Sequence, residues 1–229
     1  MRRALDRLEK DFGRPSPGRR LPPLDELVLT VLSQHTSDVN RDRAYASLRR
    51  RFPRWEQVMH ASTPEVEEAI RCGGLARTKS RVIQEILHSV VRERGSLDLS
   101  FLKRLPVGEA KAYLRGLRGV GEKTACCVLL FACGRPAFPV DTHIHRVAGR
   151  LGWLKPKATA ADAHEALAAL IPEERTYASH INLIRLGRRI CRARAPACPA
   201  CPLKGDCRFA SGGRARSRVD GLRARSTLY

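Results

Sequence analysis

Four cysteines near the C-terminus restrict the possible structure of this chain more than any other feature of its sequence. Cys191, Cys198, Cys201 and Cys207 follow a C-x6-C-x2-C-x5-C spacing. The residues between them show no helix or strand pattern and little apolar surface, so a metal centre is a direct way to hold this loop in place. The spacing favours an iron–sulfur cluster bound by four thiolates. A tetrahedral zinc site or two disulfides are the alternatives.

The chain is strongly basic: its 229 residues include 43 Lys and Arg against 23 Asp and Glu, for a formal net charge of +20. Such an excess indicates a polyanionic partner, most simply nucleic acid. The longest apolar run, 125–133, is far shorter than the roughly 20 residues of a membrane span, so we expect no membrane association. Eight cysteines without a secretion signal indicate a reducing compartment. We therefore expect a cytoplasmic protein, associated with the nucleoid if bacterial.

Apolar residues recur at helical spacing along nearly the whole chain. One stripe consists of Leu24, Leu27, Val28, Val31 and Leu32. A helix start is predicted at Thr63-Pro64-Glu65, with Thr63 as the cap, and a further stripe ends at Gly95. Other helices are predicted at 39–51, 108–117, 121–132, 141–151, 160–170 and 174–190. No stretch shows sustained strand alternation, so the sequence predicts an all-α protein.

Two tracts differ in composition from the rest. Residues 13–23 are rich in Pro, Gly and Arg and predict a linker between a short N-terminal helix and the main body. Residues 211–229 contain five Arg and three Gly, with few apolar side chains. We expect this last segment to be a flexible basic tail.

Residues 116–125 read Gly-Leu-Arg-Gly-Val-Gly-Glu-Lys-Thr-Ala and lie between two helical patterns. Gly119 and Gly121 permit a reversal within a few residues, and the turn leads directly into a helix. The free N–H groups at such a helix start can bind a phosphate. An ordinary glycine turn between helices is the plainer alternative.

Lys123 and Asp141 are the candidate catalytic pair. Lys123 lies in the first turn of a predicted helix, where the helix dipole and nearby positive charge favour the neutral, nucleophilic amine. By itself, a helical lysine is more often a solvated surface charge. Asp141 precedes another predicted helix and could be its N-cap, with a carboxylate still free to accept a proton or stabilise a cation.

Three ordered motifs together resemble the endonuclease III family of DNA glycosylases. These are Leu117-x-Gly-Val-Gly-x-Lys123-Thr-Ala, then Val140-Asp141-Thr-His143, then the four-cysteine array. The similarity covers roughly residues 22–208. The resemblance implies that the chain is a member of the helix–hairpin–helix superfamily.

The resemblance implies two helical domains with a DNA-binding cleft between them. A six-helix barrel with the helix–hairpin–helix would occupy residues 22–135. An iron–sulfur domain would combine residues 1–21 with 136–210, followed by the tail at 211–229. We expect a monomer.

The resemblance also implies roles for individual residues. Lys123 would be the nucleophile and Asp141 its assisting carboxylate, and the four cysteines would bind a [4Fe-4S] cluster, with zinc as the alternative. The residues expected to contact DNA are Gln34, His35, Leu75, Arg118, Gly119, Val120, Gly121, Lys123, Thr124, His143, Arg192 and Arg194. Leu75 corresponds to the family's apolar wedge, although it could instead be a core residue at a helix end.

The implied activity is that of a bifunctional DNA glycosylase/AP lyase acting on duplex DNA with oxidised pyrimidines or abasic sites. His35 stands where the family has a plug glutamine, with Gln34 one residue earlier, and Glu122 is acidic within the hairpin. Both departures bear on lesion preference and affinity. Two alternatives remain: a monofunctional mismatch glycosylase, or a non-catalytic iron–sulfur protein that binds DNA or senses redox state.

Overall fold

The computed structural model describes residues 1–212, and within that range the chain forms helices and turns without a β-strand, which confirms the all-α prediction. The α-helices are α1 (Arg2–Phe12), α2 (Pro23–Leu32), α3 (Asp38–Arg51), α4 (Trp55–His60), α5 (Thr63–Ala69), α6 (Ala76–Arg94), α7 (Val107–Gly116), α8 (Glu122–Cys127), α9 (Thr142–Leu151), α10 (Ala160–Leu170) and α11 (Thr176–Arg189). The tail predicted for 211–229 lies outside the described residues from position 213 onward.

Local capping chemistry accounts for several helix starts. The hydroxyl of Ser37 accepts a hydrogen bond from the amide of Asn40 and caps α3. The helix predicted to begin at Thr63 is present, but its N-cap is Ser62, whose amide donates to the Glu65 carboxylate at 3.0 Å. The prediction of Thr63 as the cap was therefore wrong by one residue, because this capping box needs its acid three positions after the cap.

Two helical segments differ from the sequence-based expectation. The six-residue helix α4 is too short to show a helical period and was not predicted. The helix expected over 121–132 instead consists of α8 followed by a π-helical segment, Val128–Ala132. π-Helical turns are uncommon and often lie near functional sites, and this one follows the helix that carries Lys123.

Two hydrophobic clusters form the cores. The first runs from Leu24 to Ala137 and is built from α2 to α8 with the π-helical segment. The second joins α1 to the segment from Phe138 to Cys207, which includes α9, α10 and α11. The core thus changes at 137–138, close to the boundary expected from the resemblance. The full domain division given above remains a prediction.

The second cluster depends on close packing between α9 and α11. Gly187 of α11 lies so near α9 that a Cβ at this position would be 2.9 Å from the Cβ of His143. This contact draws the start of α9, with Asp141 before it, towards α11. None of the helices within residues 1–212 combines the length and hydropathy needed to cross a bilayer.

Candidate active site

A cavity of about 1030 Å³ opens between the two cores. Its walls come from α2, α3 and α8 of the first core and from α9 and α11 of the second. Both candidate catalytic residues, Lys123 and Asp141, line it. A pocket with converging charged side chains is the default position for an active site.

Lys123 lies in the first turn of α8 and is half-buried. One turn later is the thiol of Cys127, which burial keeps protonated by raising its pKa to about 11. The charges of Lys123, Asp141 and Glu26 all act on this thiol. The lysine is therefore a cavity side chain and not a freely solvated surface charge.

Asp141 is the N-cap of α9: its Oδ1 accepts a hydrogen bond from the amide of Ile144 at 2.7 Å. The same side chain lines the cavity. The capping bond fixes the rotamer of the carboxylate, and the start of α9 provides a positive dipole end beside it. The capping role and the cavity role expected from the sequence are thus compatible in one residue.

The turn between α7 and α8 has the reversal that its glycines predict. Gly119 has φ +78°, and a Cβ there would lie 2.7 Å from Cγ1 of Val82 on α6. Val120 and Thr124 are only 5% and 4% exposed as whole residues, so their side chains are not presented to a nucleic acid. Arg118 is exposed and pairs with Glu85 at 2.8 Å.

Glu122, the acidic departure in the hairpin, folds back onto the preceding helix. Its carboxylate pairs with Lys111 at 2.8 Å and with Arg115 at 3.3 Å, both on α7. These two cations lower the pKa of Glu122 against the opposing effect of burial. The negative charge is therefore neutralised inside the hairpin.

Glu122 also forms a polar group with Cys126 and His164, whose potential ligand atoms lie within 4.8 Å of one another. The sequence did not indicate this group, because His164 belongs to α10. Burial raises the pKa of Cys126 to about 12, and Lys111 already lies against the carboxylate. A protonated thiol and a neighbouring ammonium disfavour a cation here, and the group instead connects α8 to α10.

The expected plug and wedge lie in two strained loops. His35 has φ +51° and follows α2, whereas Leu75 has φ +50° and precedes α6. Non-glycine residues in this left-handed region are uncommon and cluster at functional sites. Leu75 is 56% exposed, so it is not the core residue considered as an alternative. Gln34 and His35 line the cavity, and Leu75 lies outside its lining.

His143 lines the cavity on α9 and contacts Arg146 through its Nδ1 at 3.0 Å. His145 also lines the cavity, and its Nε2 lies 2.9 Å from the carbonyl oxygen of Ala158. The two histidines thus have separate partners, as their spacing of two predicts for a helix.

The four cysteines of the C-terminal loop are free thiols, so the disulfide alternative is not formed. They surround a small cavity beside Arg150, whose Nη1 lies 3.4 Å from Sγ of Cys191. Zinc would hold four sulfurs about 3.8 Å apart, given Zn–S bonds of about 2.3 Å. No three of these sulfurs belong to a group within 4.8 Å among the described residues. The four sulfurs are thus spread more widely than around a single zinc ion, and the kind of metal centre that they hold stays a prediction.

Arg192 and Arg194 are exposed on the cysteine loop. Other charged cavity residues were not found from the sequence, because their partners are distant in the chain. Arg188 of α11 pairs with Asp38 at the start of α3 and connects the two walls. Glu26 of α2 also lines the cavity; its partner Thr30 is near in the chain, but nothing in its local sequence indicated a site.

Comparison with known proteins gives one consistent result. The family profile described as "HhH-GPD superfamily base excision DNA repair protein" matches residues 28–173. Endonuclease III of Thermotoga maritima is 34% identical over 195 residues, which cover 85% of this chain and 87% of that protein. An Arabidopsis thaliana protein named as a candidate DNA glycosylase is 40% identical over 192 residues, 80% of this chain. The chain spans only 65% of the length of that plant relative.

A solved structure shows the same fold. A trapped covalent intermediate of endonuclease III with DNA superposes with a TM-score of 0.78 and 31% sequence identity. The match covers 92% of this chain and 95% of the other. The likeness therefore extends over both hydrophobic cores and the cavity between them.

Proposed function

This chain belongs to the endonuclease III family within the HhH-GPD superfamily of base excision DNA repair proteins, and we propose that it is a bifunctional DNA glycosylase/AP lyase. Its substrates would be oxidised pyrimidines and abasic sites in duplex DNA. The observation that carries the proposal is that Lys123 and Asp141 line one cavity. A lysine in a helix and an aspartate that caps a helix are each common in proteins. It is uncommon for the two to line the same cleft.

The chemistry begins with Nζ of Lys123. Its lone pair attacks C1′ of the deoxyribose, the bond to the base breaks, and a Schiff base forms between lysine and sugar. β-Elimination from this intermediate then cleaves the strand. The trapped covalent complex of endonuclease III, with which this fold superposes, supports a covalent step of this kind.

Asp141 would stabilise the positive charge that develops on the sugar. Its carboxylate is held by the amide of Ile144 and is therefore oriented before substrate arrives. Preorganised charges in a water-poor site contribute strongly to catalysis because they need no reorganisation during the reaction.

A base reaches such a site only after leaving the duplex. The cavity of about 1030 Å³ is large enough for a nucleotide, and extrusion requires a few kcal/mol, less where damage weakens pairing. His35 and Leu75, on the two strained loops, would fill the space left in the DNA. Phosphate contacts would come from the hairpin at 118–121 and from Arg192 and Arg194, in keeping with the net charge of +20.

We also propose that the cysteine loop binds a [4Fe-4S] cluster through Cys191, Cys198, Cys201 and Cys207. The support is the free thiols, the wide spacing of their sulfurs, and Arg150 as a donor beside them. When bound, the cluster would hold a loop that has little core of its own and so present Arg192 and Arg194 to DNA. No electron transfer is needed for this role.

The test is covalent trapping with borohydride on duplexes that contain thymine glycol or an abasic site. The wild-type protein should form a covalent complex and nick both substrates, and Lys123→Ala should do neither. Lys10→Ala, an exposed lysine of α1, is the control and should behave as wild type. Base release without trapping or nicking would replace the proposal with a monofunctional glycosylase, and binding alone would replace it with a non-catalytic protein.

A further inference from the structure

A third ionisable side chain, Glu26, lines the same cavity as Lys123 and Asp141. It projects from the first turn of α2 and is half-buried. The hydroxyl of Thr30, one turn later, donates to its Oε1 at 3.2 Å. None of the ion pairs within residues 1–212 includes this carboxylate. A half-buried acid without an ion-pair partner, in the same cavity as a candidate nucleophile, requires an explanation.

Asp141 is poorly suited to accept a proton. One of its oxygens already accepts the amide hydrogen of Ile144, and the start of α9 stabilises the negative charge. Protonating Asp141 would weaken this cap and with it the packing of α9. Glu26 also lies in the first turn of its helix, but its carboxylate accepts only the hydroxyl of Thr30 and caps no backbone amide within residues 1–212, so protonating it breaks no helix cap.

We propose that Glu26 is the residue that accepts the proton of the Lys123 ammonium and so generates the nucleophilic amine. This rests on the function proposed above for Lys123. Asp141 retains the charge-stabilising role. The hydrogen bonds of each carboxylate suit its role: Glu26 accepts the proton, and Asp141 stabilises positive charge.

The proton transfer is balanced in charge and atoms. One N–H bond of the Lys123 ammonium breaks, and its proton forms an O–H bond with Glu26, which becomes a neutral carboxylic acid. The released lone pair on Nζ forms the bond to C1′ while the bond from C1′ to the base breaks, and that electron pair leaves with the base. The proton on Glu26 is then available to the departing base, which leaves as a neutral heterocycle.

The titration of Glu26 suits this role. Burial raises its pKa to about 7, although the Thr30 hydroxyl and the charges of Arg41 and Lys123 oppose the rise. A proton acceptor works best when its pKa lies near the working pH, since it is then ionised and still basic. An ordinary solvated glutamate, with a pKa of about 4.3, would be a much weaker acceptor.

The groups around Glu26 leave this assignment intact. The side chains whose charges act on Glu26, or on which it acts, are Arg41 and Tyr45 of α3 and Lys123 and Cys127 of α8. The other titratable or charged residues that line the cavity are His35, Asp38, Asp141, His143, His145, His180, Arg185 and Arg188. Burial raises the pKa of Tyr45 well above its usual range and that of Cys127 to about 11, and it lowers the pKa of His180 to about 4. These three are therefore neutral near pH 7.

The decisive experiment compares wild type with Glu26→Gln in single-turnover cleavage of thymine-glycol duplex between pH 5.5 and 9. Wild-type rate should rise with pH through an inflection near 7, because the ionised carboxylate is the active form. Glu26→Gln should lose the inflection and react about 100- to 10,000-fold more slowly. Glu56→Gln, an exposed acid on α4, is the control and should keep the wild-type profile.

A second variant tests the assignment without removing the carboxylate. Thr30→Val deletes the hydroxyl that favours the ionised form, so its inflection should move to higher pH while the plateau rate is retained. A merely structural role would not produce this shift. If Glu26→Gln unfolds, as judged by thermal melting, the Thr30→Val profile decides the question.

Two outcomes separate the proposals. Should wild type cleave and trap while Glu26→Gln keeps the same inflection and rate, the role of Glu26 is overturned and the glycosylase/lyase proposal stands. Should Thr30→Val leave the inflection where it is, the role of Glu26 is equally overturned. Should wild type neither cleave nor trap, the underlying function itself fails.

Discussion

The ammonium of Lys79 donates a hydrogen bond to the carbonyl oxygen of Gly73 at 2.8 Å, although the side chain is only 3% exposed. The same nitrogen donates to the carbonyl of Leu32, also at 2.8 Å. Gly73 lies two residues before Leu75, and Leu32 lies three residues before His35. One buried lysine thus joins the two strained loops that carry the expected wedge and plug.

Replacing Lys79 with Met should loosen both loops together. The substitution keeps an unbranched side chain, one heavy atom shorter, but leaves two buried carbonyls without a donor, at about 1–3 kcal/mol each. We expect the free energy of unfolding to fall by about 2–6 kcal/mol. Hydrogen exchange should accelerate at residues 33–37 and 73–76 more than elsewhere in α6.

The control for Lys79→Met is Arg81→Met, which removes an exposed cation from the same helix. Its unfolding free energy should stay within about 0.5 kcal/mol of wild type. Equal effects of the two substitutions would show that the loops do not depend on the buried ammonium.

Glu26 should make stability depend on pH in a way that can be measured without DNA. Burial raises its pKa to about 7 in the folded protein from 4.5. Between these values the folded state keeps a proton that the unfolded state has released, so stability falls as pH rises from about 4.5 to 7. The glutamine of Glu26→Gln does not titrate, so this variant does not show the fall in stability between pH 4.5 and 7. Its stability relative to wild type should therefore increase by up to about 3 kcal/mol between pH 4.5 and 8.

Urea unfolding at pH 5 and pH 8 checks this prediction, with Glu56→Gln measured in parallel. The difference between Glu26→Gln and wild type must be larger at the higher pH. A difference independent of pH would mean that Glu26 titrates as an ordinary solvated acid.

How far the sequence could predict this structure depends on whether a signal was local. The helix pattern, the glycine hairpin and the four-cysteine loop each depend on residues that are close together in the chain, so the sequence predicts them. Lys79 could not, because a lysine within a helix resembles a solvated charge until Leu32, 47 positions away, is seen beside it. Whether such a lysine is buried or solvated depends on partners that are distant in the sequence.

The residues of the candidate site also fall into those that the sequence predicts and those that it does not. Lys123 and Asp141 were expected from motifs, whereas Glu26 looks like an acid favoured in the first turn of any helix. The pairing of Arg188 with Asp38 joins residues 150 positions apart, so no window of sequence reveals it. The strain at His35 and Leu75 was likewise invisible, since leucine seldom adopts a positive φ and histidine, although enriched there, does so in only a minority of cases.

Metal analysis should distinguish the two metal centres proposed for the cysteine loop. Protein purified without oxygen should contain about four iron and four sulfide per chain, with a broad visible absorption band. Cys198→Ser should lose the metal and the band, because one thiolate ligand is gone. Cys72→Ser, which alters an exposed thiol outside the loop, should retain both. One zinc per chain without visible absorption would contradict the cluster.

Gly119 and Gly121 offer a matched test of the hairpin. Gly119 has φ +78°, and a Cβ there would lie 2.7 Å from Val82, whereas Gly121 has φ −89° and no atom within 4 Å of its Cβ position. Gly119→Ala should therefore lower the unfolding free energy by about 1–3 kcal/mol, through backbone strain and crowding.

Gly121→Ala should leave the unfolding free energy within about 0.5 kcal/mol of wild type. Its exposed methyl group would nevertheless stand at the start of α8, where a phosphate must approach the backbone closely. We expect weaker binding to abasic duplex with unchanged thermal stability, measured by fluorescence anisotropy and melting. Equal losses of stability in both variants would show that the hairpin is strained throughout, and unchanged binding by Gly121→Ala would place the phosphate contact elsewhere.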